Sequence, residues 1–566
     1  MKKNFLISMS VAAIIALAIG ACNDDFLNTP PQAALSGSIL SSSKNGVDAT
    51  LIGAYKSLIG WTTNWNEAAW GTAPSNWTFN TAADDAHKGS EPGDLDEVLS
   101  FELFQWNPAN GIIRSKWIAT YEGIVRSNAA ITTATDFLKA APDQTDYVNR
   151  IKAEATFLRG FFHFEAYKMW GKIPYYTEAD KEFTKKNDVD VLPLIIKDFE
   201  AAAGLLPAVR DQVGRADKAV ATAYLGKAKL YNKDYAGAKA AFDAVIATGR
   251  FGLVDCFYDN FSVAGDNNKE SIFAVQTSVN DGAGDGDNGN FGERLAEPHG
   301  DSYTTCCGFK NPTYDLAFAF KTDANGLPIP VSGALARIKA GDATLLDPRI
   351  DWTMGRTDVP YLDWGPHKDS WIRGQGYAGW YSPKKNMAKI GDGNLSGSWA
   401  GAQLTNLNVE LMRYSDLLLM AAEAEVEVGS VAKAAEYVNA IRTRAGNCAQ
   451  GKSKIATTIN DPEITWAKYK VGPYPAGSAA FASKEAARET VRLERRLELA
   501  LEGHRLFDLQ RWGNYAATVN AYLAREKVLV TVLNSGGQAT DKHRFYPLPS
   551  SEIERSNGNL VQNAGY

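Results

Sequence analysis

The chain has 566 residues, 45% hydrophobic and 22% charged, with 59 basic against 65 acidic side chains and a net charge of −6. That is the composition of a folded body with ample chain for a large core. The acidic balance argues against a protein that tracks nucleic-acid phosphates, and no nucleic-acid partner is expected.

The chain opens on Lys2, Lys3 and Asn4, followed by an apolar run from Phe5 to Ala21. A basic start, an apolar stretch and small residues at its exit are the parts of a secretory signal peptide. The run is marginal for a bilayer crossing, which takes roughly 20 apolar residues, and no later segment is long and apolar enough. It ends Ile19-Gly20-Ala21-Cys22, which resembles the lipobox of bacterial lipoproteins. The resemblance implies that residues 1–21 are removed and that Cys22 carries a diacylglyceryl group. Stable anchoring takes two lipid signals, and that group supplies two chains at once. An ordinary secreted protein with a chance cysteine is the alternative. Residues 22–45, rich in Asn, Asp, Pro and Ser, read as a tether. Asp24 and Asp25 resemble the surface-export signal of Bacteroidetes-type lipoproteins.

From about residue 46 the pattern turns helical, and residues 46–566 read as one globular unit. Apolar residues recur at helical spacing through 112–138 (Ile113, Trp117, Tyr121, Ile124, Val125) and 150–170 (Phe157, Leu158, Phe161, Phe162). The turn Gly171-Lys172-Ile173-Pro174 ends the second, and helices are expected at 191–205 and 216–247. Within the last, Leu225-Gly226-Lys-Ala-Lys-Leu-Tyr231 and Ala238-Lys-Ala-Ala-Phe242 match the two cores of a tetratricopeptide repeat. There small residues allow close helix approach and large ones fill the groove. A looser copy lies at 416–445, and 151–170 with 191–205 is a further candidate pair. The expected fold is mostly α, a tetratricopeptide-like helix-pair scaffold at about 112–247 and 410–445. The ligand region is expected in large irregular, loop-rich stretches at about 60–100 and 250–405. There Gly, Asp and Asn are dense, and short strands such as Ser271–Gln276 appear. Long loops of this kind are commonly functional. The C-terminal segment, about 406–566, returns to helix.

These pieces, in this order, resemble the SusD/RagB family of outer-membrane nutrient-binding lipoproteins. They include Asp25-Phe-Leu-Asn-Thr-Pro-Pro31, Trp170-Gly-Lys-Ile-Pro174, Arg413-Tyr-Ser-Asp-Leu-Leu-Leu-Met-Ala-Ala-Glu423 and Asn439-Ala-Ile-Arg-Thr-Arg-Ala-Gly446. Glu498-Leu-Ala-Leu-Glu-Gly-His-Arg505 with Asp508-Leu-Gln-Arg-Trp-Gly513 is the most specific of them. The resemblance implies a lipid-anchored protein on the outer membrane. It implies a SusC-like TonB-dependent transporter as partner, capture of a glycan, and no enzymatic activity. A surface glycoside hydrolase and a protein-binding helical scaffold are the alternatives.

A hydrolase needs two carboxylates flanking its substrate. Glu498 and Glu502 share a helix face, as do Asp508 and Arg511, but interleaved arginines point to ion pairing. No residue is assigned a catalytic role. The six histidines form no metal or nucleophile motif. Cys256, Cys306, Cys307 and Cys448 lack finger spacing, so no metal site and no cofactor is expected, and free or core cysteines are favoured over disulfides. The loop 281–290 evokes a calcium loop but lacks the terminal Glu, so a solvated loop is expected. Half of the 14 tryptophans fall within 61–80 and 361–381. Flat rings stack on the C–H faces of sugars, and polar neighbours bind the hydroxyls. Trp77, Trp364, Trp371 and Trp380 are therefore the candidate stacking rings, with core packing the alternative for each. Asp84, Asp85, Tyr303 and Arg373 are the candidate companions, and Trp61 is expected in the core.

Overall fold

The computed structural model describes residues 37–60, 70–180, 182–282, 288–392 and 404–566. Cys22, most of the tether, Trp61, Trp65 and the centre of the 281–290 loop lie outside the described residues.

The helices fall where the periodicity predicts. They are α1 (Lys44–Lys56), α2 (Gly111–Ala140), α3 (Thr145–Trp170), α4 (Leu192–Leu205), α5 (Lys218–Tyr231) and α6 (Tyr235–Ala247). The second group is α7 (Tyr414–Val428), α8 (Val431–Ala445), α9 (Lys484–Leu499), α10 (Arg505–Trp512) and α11 (Tyr515–Glu526). Several of their starts follow from side-chain oxygens that accept the first free backbone N–H groups. Asn110 caps α2, Asp217 caps α5, Asp234 caps α6 and Ser483 caps α9. Gly171 ends α3 at a φ of 68°, a conformation that favours glycine.

From α1 to α8 each helix packs on the next. The clear repeat pair, α5 with α6, and its looser copy, α7 with α8, stack through contact of α6 with α7, and α3 packs on α4 as the further pair. Glycine makes the close approaches possible: a Cβ on Gly123 would sit 2.6 Å from the Phe162 ring, so α2 and α3 meet there without a side chain between them. The stack shares one apolar cluster with the C-terminal helices, running from Val47 to Leu560.

The stretch between α6 and α7 is irregular, as expected. Its longest strand, β1 (Ser271–Val275), pairs antiparallel with β2 (Val409–Arg413) and returns the chain to the helices. The other strands among the described residues have two residues each. This stretch encloses its own core of Phe257, Tyr258, Phe261, Trp352, Tyr361, Trp371 and Met387.

Two cysteine expectations are corrected. Cys256 and Cys448 form a disulfide with Cα atoms 5.4 Å apart, across 192 residues of sequence. It ties the start of the irregular stretch to the end of α8, a proximity that only the tertiary fold creates. Cys306 and Cys307 are bonded to each other.

Candidate functional site

The predicted site residues divide by burial. Trp77 is 1% exposed, and its indole N–H donates to the Gly292 carbonyl at 2.8 Å. It packs with Ala73, Ala296, Phe309 and Cys307, so it is a core ring rather than a surface platform. Asp84 and Asp85 are also buried. Asp84 takes both its hydrogen bonds from Arg505 at 2.7 Å, and Arg496 binds Asp85 at 2.9 Å and Asp315 at 2.9 Å. Burial pushes the Asp84 carboxyl up, but Arg496 and Arg505 reverse this and hold it well below the usual carboxylate range. In Asp85 burial prevails and the carboxyl is raised. Both therefore clamp the 84–85 turn to α9 and α10, and their carboxylates are not open to a ligand.

Trp371 is 3% exposed and also leaves the surface set. Its ring stands edge-on to Tyr361 at 5.7 Å and to His367 at 5.2 Å. His367 is buried, bonds the Ser382 hydroxyl at 2.9 Å, and is driven down to about 3 by desolvation. Trp380 is half-buried beneath the Arg337 guanidinium, 4.1 Å from its ring. Arg373 is exposed but held by Ser90 at 3.1 Å and Asp94 at 2.9 Å.

Two candidates remain at the surface and meet. Tyr303 is 37% exposed and its ring lies 5.6 Å from that of half-buried Trp364, tilted by 59°. Trp364 sits at the tip of a tight hairpin. There the Tyr361 N–H donates to Gly365 O, the Trp364 N–H donates to Tyr361 O, and Gly365 takes a φ of 92°. Its indole N–H donates to Ala388 O at 3.1 Å, which fixes the ring plane, and Tyr361 and Trp371 lie beneath it at 5.0 and 6.1 Å. Tyr303 is carried by a loop that runs against segment 368–373. His299 N–H donates to Trp371 O, and a Cβ on Gly300 would lie 2.2 Å from Ser370 O. The result is a pair of rings on a rigid aromatic floor.

The rim was missed by sequence reasoning. Asp301 accepts from Lys368 at 2.7 Å and Ser370 at 2.6 Å, and Asp363 accepts the N–H groups of Ile390 and Gly391 at 2.9 and 2.8 Å. All four side chains flank Tyr303 or Trp364 in sequence, which was the available signal. Exposed rings beside fixed carboxylates, a hydroxyl and an ammonium can stack on an apolar face and bond a ring of hydroxyls.

The carboxylates of the C-terminal helices are ion-paired as expected, but only Asp508 uses an interleaved arginine, Arg511; Glu498 and Glu502 pair with basic residues from distant segments. Glu498 and Glu502 both accept from Arg413, at 2.6 and 2.8 Å, and Asp508 accepts from Arg495 and Arg511 at 3.1 and 2.9 Å. Burial raises Glu498, but Arg444, Arg413 and Arg349 outweigh it and hold it well below the usual range. A general acid needs the opposite shift.

The model of the SusD family matches residues 269–566, more than half of the chain. The chain belongs to the SusD family. A second model, described as starch-binding associating with outer membrane, matches residues 25–231 of this SusD-family chain. The SusD-like protein P38 of Formosa agariphila is 22% identical, over 90% of this chain and 92% of its own. A SusD superfamily protein from Bacteroides vulgatus superposes with a TM-score of 0.67 at 20% identity, covering 93% of this chain and 100% of that one. The surface glycan-binding protein A of Bacteroides thetaiotaomicron, solved in complex with laminarihexaose, gives 0.64 at 21% identity, with 92% and 99% covered. These likenesses establish the mostly α SusD fold.

Proposed function

We propose that this SusD-family chain captures a glycan at the cell surface and hands it, uncleaved, to a SusC-like TonB-dependent transporter in the outer membrane. The observation that carries the reading is the pair of exposed Tyr303 and half-buried Trp364, set on a fixed aromatic floor and edged by Asp301, Asp363, Lys368 and Ser370. The laminarihexaose complex of the related glycan-binding protein supports a glycan as ligand. The Cys22 lipid would hold the capture body at the membrane, and residues 23–45 would let it reach the transporter. A shallow surface pair binds a single sugar ring weakly, and several contacts along one chain add through effective concentration.

The test is calorimetry of the purified protein against laminarin-type and other oligosaccharides, with a reducing-sugar assay on the same samples. Binding without product, weakened at least tenfold by Trp364→Ala, is the expected result. Release of reducing ends would make the chain a hydrolase. Equal affinity of the Trp364→Ala protein would move the site elsewhere.

A further inference from the structure

Beneath the loop that carries Tyr303 lies a carboxyl that the fold does not use. Glu297 is wholly buried, and neither of its carboxylate oxygens has a hydrogen-bond partner. Leaving a buried polar group unpaired is costly, and such a group in a native protein calls for a reason. Desolvation pushes the carboxyl well above the usual range, and Arg294 offsets only part of this. A Glu297 oxygen, the Cys306 sulfur and the Cys307 sulfur all lie within 4.8 Å of one another. Cys306 is partly exposed, so a reagent can reach the pair from solvent.

We propose that Glu297, Cys306 and Cys307 form a redox-gated site for a thiophilic divalent cation of the zinc and cadmium type. While the two sulfurs are bonded to each other they offer no thiolate, and the site is closed. A dithiol reductant opens it. The Cys306–Cys307 bond breaks and two S–H bonds form. Both electrons and both protons come from the dithiol, which leaves as its own disulfide. The cation then displaces the two thiol protons and the Glu297 proton. Three anionic ligands of S, S and O type suit a soft or borderline ion rather than calcium or magnesium. Water completes the fourth position, and Arg294 balances the surplus negative charge. Tetrahedral metal–sulfur bonds of about 2.3 Å require the two reduced sulfurs to move apart from bonding distance, so the Cys306–Cys307 turn opens on loading.

The experiment uses the full chain, either air-oxidised or reduced with excess dithiothreitol and desalted anaerobically. Cadmium is then titrated in, read by the sulfur-to-metal charge-transfer absorbance and by native mass spectrometry. Reduced wild type should take up a cadmium ion that the oxidised protein does not. The Cys306→Ser, Cys307→Ser double variant should lose that ion whatever the state of Cys256 and Cys448. Glu297→Gln, which keeps the shape of the neutral acid, should weaken it at least tenfold, and zinc should compete. If the double variant fails to fold, carboxamidomethylation of the reduced wild type at Cys306 and Cys307 should abolish uptake instead. Equal uptake by oxidised protein, uptake that survives loss or alkylation of both cysteines, or full affinity in Glu297→Gln each overturns the proposal.

Discussion

A Cβ on Gly226 would lie 2.5 Å from the ring of Phe242, so the only residue that lets α5 and α6 close on each other is glycine. Both belong to the repeat that the sequence spells most clearly. Alanine is the better helix former by about 1 kcal/mol, but overpacking a dense core costs about 1–3 kcal/mol. Gly226→Ala should therefore lower the melting temperature despite its gain in propensity. Gly226→Ala with Phe242→Leu should recover part of the loss, read by differential scanning calorimetry.

The aromatic candidates should separate by readout. Trp77 and Trp371 are enclosed, so truncation to alanine should destabilise the protein by about 3–5 kcal/mol. Tyr303→Ala should leave the denaturation midpoint nearly unchanged, Trp364→Ala should lower it by less than loss of either enclosed ring does, and both should weaken glycan binding. Paired urea melts and calorimetric titrations of the four variants test the division.

His87 gives the fold a pH dependence with a defined sign. Burial pushes the ring down, but Glu102 at 2.6 Å and Glu526 at 3.0 Å override it and hold its pKa up at about 10. A pKa raised in the folded state adds stability that is complete below the unfolded value of about 6.5 and lost as pH rises through about 10. Stability should fall by roughly 2–4 kcal/mol across that window. His87→Gln should be less stable than wild type at pH 6, and the difference between the two should shrink as pH rises to 10, measured by urea midpoints.

Cys256–Cys448 closes a loop of 192 residues. The chain-entropy account assigns such a cross-link roughly 3–5 kcal/mol, acting on the unfolded state. Cys256→Ser with Cys448→Ser should lower the unfolding free energy by that amount, measured by urea denaturation.

Cys22→Ala should leave ligand affinity intact and release the protein from the membrane fraction. The check is fractionation of cells beside calorimetry of the soluble product. Retention at the membrane would reject the lipid anchor.

The sequence by itself determined the main helices and which of them form pairs. Periodicity of apolar side chains is a local property, and Leu225-Gly226 to Phe242 spelled a helix pair before any coordinate was known. It also determined that Glu498, Glu502 and Asp508 would pair with arginines. Composition pointed to the middle of the chain, around the tryptophan-rich window 361–381, as the expected ligand region. Only the tertiary structure decided which rings face water. Trp364 and Trp371 stand seven residues apart in similar surroundings, yet one tops a hairpin and the other lies under it. Exposure depends on which distant segment covers a ring, and that segment leaves no mark in the ring's own neighbourhood. The same reason hid the salt-bridged fate of Asp84, whose partner Arg505 is 421 residues away, and the disulfide between Cys256 and Cys448.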